Sequence, residues 1–192
     1  RNRIKKSKLA KKFSEKQSII IKKKLPFNLT KSQEKVLNEI NDDLCSKKRM
    51  FRIIQGDVGS GKTIVSLLAI SNVIESGYQC ALMGPTEILA KQHFELAKKI
   101  YKDTNFKINF LTGKTEIKDR KEILKNLESG KTNLIIGTHA LFQKKIYFKK
   151  LGLAIIDEQH KFGVKQRRDL EKKGGDNCDV LLMSATPIPR TM

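Results

Sequence analysis

The residues Gly56, Asp57, Val58, Gly59, Ser60, Gly61, Lys62 and Thr63 satisfy the pattern G-x-x-x-x-G-K-[ST] at every position. That spacing suits one chemistry, the holding of nucleotide phosphates. Glycines let the backbone curl until its N–H groups converge on phosphate oxygens. A helix opening at Lys62 adds the partial positive charge of its N-terminus. Lys62 is suited to neutralise the β- and γ-phosphates of ATP, and the Thr63 hydroxyl to ligate Mg²⁺.

A second signal lies downstream in LAIIDEQH, residues 153–160. Two acids close an apolar run there. Asp157 suits the holding of Mg²⁺ through water. Glu158 suits the acceptance of a proton from the attacking water, a task for a carboxylate near the metal but not on it. Such a pair alone is equally a polar strand end; with the phosphate loop upstream it becomes catalytic. After the next apolar run come Ser184, Ala185 and Thr186, in SATPIPR. Small hydroxyl residues in that place can link the acidic motif to a second ligand.

These residues need a scaffold that brings separate loops to one edge. Apolar runs of strand length occur at 51–55, 79–83, 107–111, 133–137, 153–157 and 180–184. They alternate with helical stretches at 62–76, 87–101, 116–129 and 164–172. The runs are continuously apolar, as strands covered on both faces must be. The expected fold is therefore a three-layer α/β domain with a mostly parallel sheet, with ligands at the strands' carboxyl ends. Thr30 is a fitting N-cap for a further helix carrying Val36, Leu37, Ile40 and Leu44.

Of the 192 residues, 40 are Lys or Arg and 20 are Asp or Glu, a formal charge of +20. Residues 1–24 hold eleven Lys or Arg against one acid, Glu15, and so carry half of that charge. We read them as a basic connector and residues 25–192 as the domain proper, a segment of something longer. A basic chain favours a polyanionic partner, although lysine-rich composition alone gives the same charge. No apolar run approaches a membrane span, and nothing resembles a secretory leader; the expected location is the cytoplasm. Cys45, Cys80 and Cys178 are odd in number and form no Cys-x-x-Cys pair, so we expect buried or semi-buried free thiols and no metal cluster.

Phosphate loop, DEQH and SAT, in this order, resemble superfamily 2 helicases and translocases. Longer stretches narrow the likeness to the RecG family of ATP-dependent DNA helicases: LPFNLTKSQ (25–33), QGDVGSGKT (55–63), GYQCALMGPTEILAKQH (77–93), LTGK (111–114), IIGTHALFQ (135–143), IIDEQHKFGVKQR (155–167) and MSATPIPRTM (183–192). The resemblance covers the chain from about residue 25 onward. Transcription-repair coupling translocases share several of these stretches, but typically read DEEQ before FGV where this chain has DEQHK.

The resemblance implies a RecA-like first motor domain. It implies that Gln33 reads the adenine edge with Phe27 beside the base, and that Gln159 and His160 sense the γ-phosphate and relay it to Ser184 and Thr186. It implies nucleic-acid contacts by Pro85, Thr86, Gln92, His93, Thr112, Gly113, Thr138 and His139. Thr86 equally fits a plain helix cap, Thr112–Gly113 an ordinary turn, and His139 an unremarkable histidine. The implied partner is branched double-stranded DNA (forks and Holliday junctions), with a single-stranded-DNA-binding protein as a further partner and a monomeric motor. A wedge domain upstream and a second motor domain carrying an arginine finger complete that family's machine. Arg167 and Arg190 do not stand in the finger motif. The segment alone is expected to bind ATP weakly, to hydrolyse it very slowly and not to unwind DNA. The rivals are a coupling translocase acting beside RNA polymerase, and a non-catalytic basic DNA-binding module with a vestigial nucleotide pocket.

Overall fold

Six apolar segments become the strands of one sheet: β1 (Phe51–Gln55), β2 (Gln79–Met83), β3 (Ile108–Leu111), β4 (Leu134–Gly137), β5 (Leu151–Asp157) and β6 (Asp179–Ser184). The computed structural model describes residues 7–157 and 173–185. The strands stand in the order β1-β6-β5-β2-β4-β3, and every pairing is parallel. Five α-helices lie wholly within the described residues: α1 (Lys16–Lys24), α2 (Lys31–Cys45), α3 (Lys62–Glu75), α4 (Glu87–Ile100) and α5 (Ile117–Glu128). The helix expected at 164–172 lies outside the described residues.

Alternation along each strand divides the core in two. Leu153 and Ile155 of β5 join Leu82, Leu134, Leu181 and the apolar sides of α1 to α4. Ala154 and Ile156 join Ala81, Ile135, Val180, Leu182 and Leu127 of α5. Helices thus cover both faces, which is why β2 and β6 are buried along their whole length and why 80–83 and 180–183 read as unbroken apolar runs.

The basic segment is built into this body. Ile21 of α1 is buried in the core, while Ile19 and Ile20 are exposed. Lys8 and Lys11 each place Nζ 2.6 Å from Asp179 Oδ2, and all three side chains are fully buried. Lys8 also donates to the carbonyls of Asp43 and Leu44, and Lys11 to that of Asn177. Burial drives the Lys8 pKa below the ordinary lysine value, against the opposing hydrogen bond and charge of Asp179. Although the sequence reading starts the domain at residue 25, residues 7–11 run beside the end of α2 and the turn into β1. Two of the lysines counted as surface charge are interior.

Cys80 and Cys178 are buried, whereas Cys45 is exposed. Burial pushes the Cys178 thiol up to about 12 and Cys80 higher still, so both remain protonated, inert core groups.

Candidate active site

The phosphate loop leaves β1 and returns as α3. Gly59 and Gly61 hold φ of 81° and 83°, left-handed values that side chains resist. A Cβ on Gly61 would lie 2.3 Å from Gln33 Nε2, so the glycine also makes room for α2. Lys62 Nζ donates to the carbonyls of Gly56 at 2.6 Å and Asp57 at 2.7 Å, inside the curl of its own loop. No side chain caps the start of α3, and its first turn carries no acid. Its leading N–H groups and partial positive charge therefore face the loop.

Strand order decides what stands beside this loop. β6 lies between β1 and β5. Ser184, at its carboxyl end, pairs with Gln55 in register, and its carbonyl accepts from Gly56 N at 3.2 Å. Asp157 ends β5 and pairs with Met183. Phosphate loop, Ser184 and Asp157 thus close three adjacent strands. Ala185 follows directly and is half-buried. Glu158, Gln159, His160 and Thr186 lie outside the described residues.

Gln33 touches the loop from the other side. Thr30 and Gln33 form a capping box at the start of α2, and Gln33 Nε2 donates to Ser60 O at 2.9 Å. Phe27 stands exposed three residues before Thr30. The donors available for Mg²⁺ are the Thr63 hydroxyl and the Asp157 carboxylate. Both are hard oxygen ligands, which suit an ion that keeps waters and arrives with phosphates. Among the described residues no group of three or more His, Cys, Asp or Glu could hold a metal alone.

The residues expected at nucleic acid occupy the other half of the edge, over β2, β4 and β3. Thr86 caps α4, its Oγ1 accepting from Leu89 N at 3.3 Å. Pro85 is half-buried, while Thr86, Gln92, Gly113 and His139 are exposed. Thr112 and Thr138 are buried, and Thr112 Oγ1 accepts from Lys114 N. His93 points elsewhere: it is buried, and Nε2 lies 2.7 Å from Asp157 Oδ2. That placement sets it apart from the exposed residues expected at nucleic acid.

Two basic residues not named as site candidates from the sequence tie these loops together. Arg120 reaches Thr112 O at 3.3 Å and Gln143 Oε1 at 3.1 Å. Lys114 Nζ pairs with Glu87 at 2.7 Å, which lowers the Glu87 pKa and raises that of Lys114. Neither stands in a spacing that marks it; only the fold brings them together.

The family model for DEAD/DEAH box helicases matches residues 30–192. The chain belongs to the DEAD/DEAH box helicase family. Within it, this helicase domain is 51% identical over 191 residues to the ATP-dependent DNA helicase RecG of Streptococcus pneumoniae, covering 100% of the chain and 28% of that relative. It is 49% identical to RecG of Bacillus subtilis, covering 94% of the chain and 26% of the relative. A solved structure of RecG bound to a three-way DNA junction superposes with a TM-score of 0.85 at 43% identity, over 97% of this chain and 25% of that one. The helicase domain therefore has the RecA-like fold and spans about a quarter of the length of these relatives. Among its described residues no helix is long and apolar enough to cross a membrane.

Proposed function

We propose that this chain is the first motor domain of an ATP-driven DNA helicase or translocase that acts on branched duplexes, remodelling forks and Holliday junctions. One observation carries the reading. Phosphate loop, Ser184 and Asp157 end three neighbouring strands, while the segments that follow the other three carry exposed Thr86, Gln92, Gly113 and His139. One edge therefore offers a nucleotide half and a nucleic-acid half. The likeness to the RecG structure bound to a three-way DNA junction, over 97% of this chain, supports branched DNA as the partner.

In this reading Lys62 leaves its loop carbonyls for the β- and γ-phosphate oxygens of ATP, and the loop amides and the start of α3 take the remaining phosphate charge. Thr63 and Asp157 would hold Mg²⁺, which when bound neutralises charge developing between the β- and γ-phosphates. Glu158 removes the proton from the attacking water. Gln33, braced on Ser60, stands where it can read a base, with Phe27 beside it. By the family resemblance, Gln159 and His160 sense the γ-phosphate and relay its loss to Ser184 and Thr186. Ser184 already shares a hydrogen bond with Gly56, so a change at the phosphates reaches β6 directly. A second motor domain supplies the transition-state arginine, a contribution on the order of 10³–10⁵ in related NTPases.

The test is ATP hydrolysis by the full-length protein, wild type beside Glu158→Gln, with forked DNA, linear duplex, RNA or none. Strong stimulation by the fork, and a Gln variant that binds ATP but barely turns over, is expected. Hydrolysis indifferent to every nucleic acid would remove the motor reading. Rapid fork-stimulated turnover by this segment alone would remove the need for a second domain.

A further inference from the structure

The two halves of the carboxyl edge meet at a side-chain contact. His93 comes from α4, which follows β2, and Asp157 ends β5, the strand beside β2 on the nucleotide side. His93 is 8% exposed as a residue, although Gln92 next to it is exposed. A carboxylate only accepts hydrogen bonds, so Nε2 carries the hydrogen in this 2.7 Å contact.

We propose that His93 is a positioning residue that orients the Asp157 carboxylate toward the metal and couples α4 to the nucleotide site. This rests on the motor reading above. A carboxylate's terminal torsion is broad, so a fixed donor narrows the directions from which Asp157 can address a hydrated ion. Partners behind a ligand commonly set metal affinity in this way. The second role follows from the helix. Its leading end carries Thr86 and Glu87 on the nucleic-acid half, with Glu87 tied to Lys114. Its trailing end is anchored by buried Ala97 and Tyr101. α4 is 14 residues long, and His93 sits in its second turn. Any displacement of the exposed end is therefore carried to the Asp157 hydrogen bond within two turns.

The coupling is reciprocal by thermodynamics: if fork DNA alters metal affinity through α4, the metal–nucleotide complex alters fork affinity by the same factor. The test uses the full-length protein with His93→Met and His93→Gln. These side chains are similar in size, and only Gln keeps an N–H donor. Mn²⁺ binding is followed by electron paramagnetic resonance with a non-hydrolysable ATP analogue, with and without forked DNA. Melting temperature and the Mg²⁺ dependence of hydrolysis are measured alongside. The Met variant should bind Mn²⁺ about tenfold more weakly, require correspondingly more Mg²⁺ for hydrolysis, and lose the fork-dependent change in Mn²⁺ affinity. The Gln variant should retain most of both. Met and Gln variants with equal Mn²⁺ affinities, whether wild-type or equally weakened, overturn the proposal and leave His93 a packing residue. Wild-type hydrolysis indifferent to DNA would instead overturn the motor reading, and the Mn²⁺ comparison stays readable in that event.

Discussion

Lys62 and the pair Lys8 and Lys11 are the same residue type at opposite edges of one sheet. At the carboxyl edge, Lys62 is held by two carbonyls of its own loop, contacts that an anionic ligand can replace. At the amino edge, Lys8 and Lys11 share one oxygen of Asp179, and that carboxylate also accepts from Met50 N at 2.6 Å. On the proposed reading the first cation serves a phosphate, whereas the other two are committed to a fixed internal anion. Positive charge in a sequence therefore says little about binding until its partner is known. Half of this chain's formal charge lies in residues 1–24, and part of that charge braces the motor.

The largest expected effect comes from removing the internal anion. Asp179→Ala leaves two buried ammonium groups without a counter-charge, and breaking such a pair costs about 3–5 kcal/mol. Urea or thermal unfolding should read that loss. Replacing all three members with apolar groups (Lys8→Met, Lys11→Met, Asp179→Leu) should recover most of the stability, since a buried ionic group and a packed apolar one are often near parity. DNA affinity and its salt slope should be unchanged in the triple variant. A salt slope smaller by one or more would mean that these lysines reach phosphates, and would end the contrast between the two edges.

Lys62→Ala should act in the opposite sense on both readouts. Its partners are loop carbonyls that water can serve, so the melting temperature should hold. Hydrolysis should fall about 10²–10³-fold, the usual loss when one charge-stabilising group leaves a reacting centre. A protein that melts early but retains turnover would place Lys62 with the braces.

The two edges also differ in how far the sequence discloses them. The phosphate loop is legible because backbone curl demands glycine at fixed places, and because one lysine and one hydroxyl must follow. The strands are legible because burial on both faces leaves no polar alternation. β3, β4, β5 and β6 begin within two residues of the runs read from sequence, and β1 and β2 coincide with theirs. The Asp179 cluster is illegible for the converse reason: its members lie 171 and 168 positions apart, and nothing local requires a lysine at 8 or 11. Arg120 and the inward turn of His93 are hidden in the same way. His93 follows exposed Gln92 within one motif, and only helical rotation against β5 separates their surroundings.

A smaller effect is expected where an element end meets the loop. Thr30→Ala removes the capping box of α2, at about 1 kcal/mol. It removes the Thr30 Oγ1 acceptor of Gln33 N, a bond of 3.2 Å, so the residue whose amide touches Ser60 loses part of its brace. Discrimination between ATP and other nucleoside triphosphates should weaken more than phosphate affinity. Equal losses for all triphosphates would mean that Gln33 serves the loop and not the base.

The smallest effect is a pH dependence at the segment's second anchor. α1 has no side-chain cap of its own, and Glu15 before it holds a positive φ of 60°. Glu75, at the end of α3, supplies the missing acceptor: it takes the Ser14 N–H and hydroxyl at 2.7 Å each and Gln17 N at 3.3 Å. Partial burial raises the carboxyl pKa, but these three donors outweigh it, and the net shift is downward from 4.5. A carboxylate whose folded pKa is depressed binds fewer protons folded than unfolded. Its contribution is therefore complete above the ordinary value and is lost as pH falls through the folded one. The stability difference between wild type and Glu75→Gln, measured by urea unfolding, should be constant near neutrality and shrink below pH 4.5. Because this anchor joins the basic segment to the helix that begins at Lys62, acid should loosen residues 14–17 before it disturbs the phosphate loop. Amide exchange that accelerates first in the loop would reverse that order and place the weaker edge of the sheet at the site of chemistry.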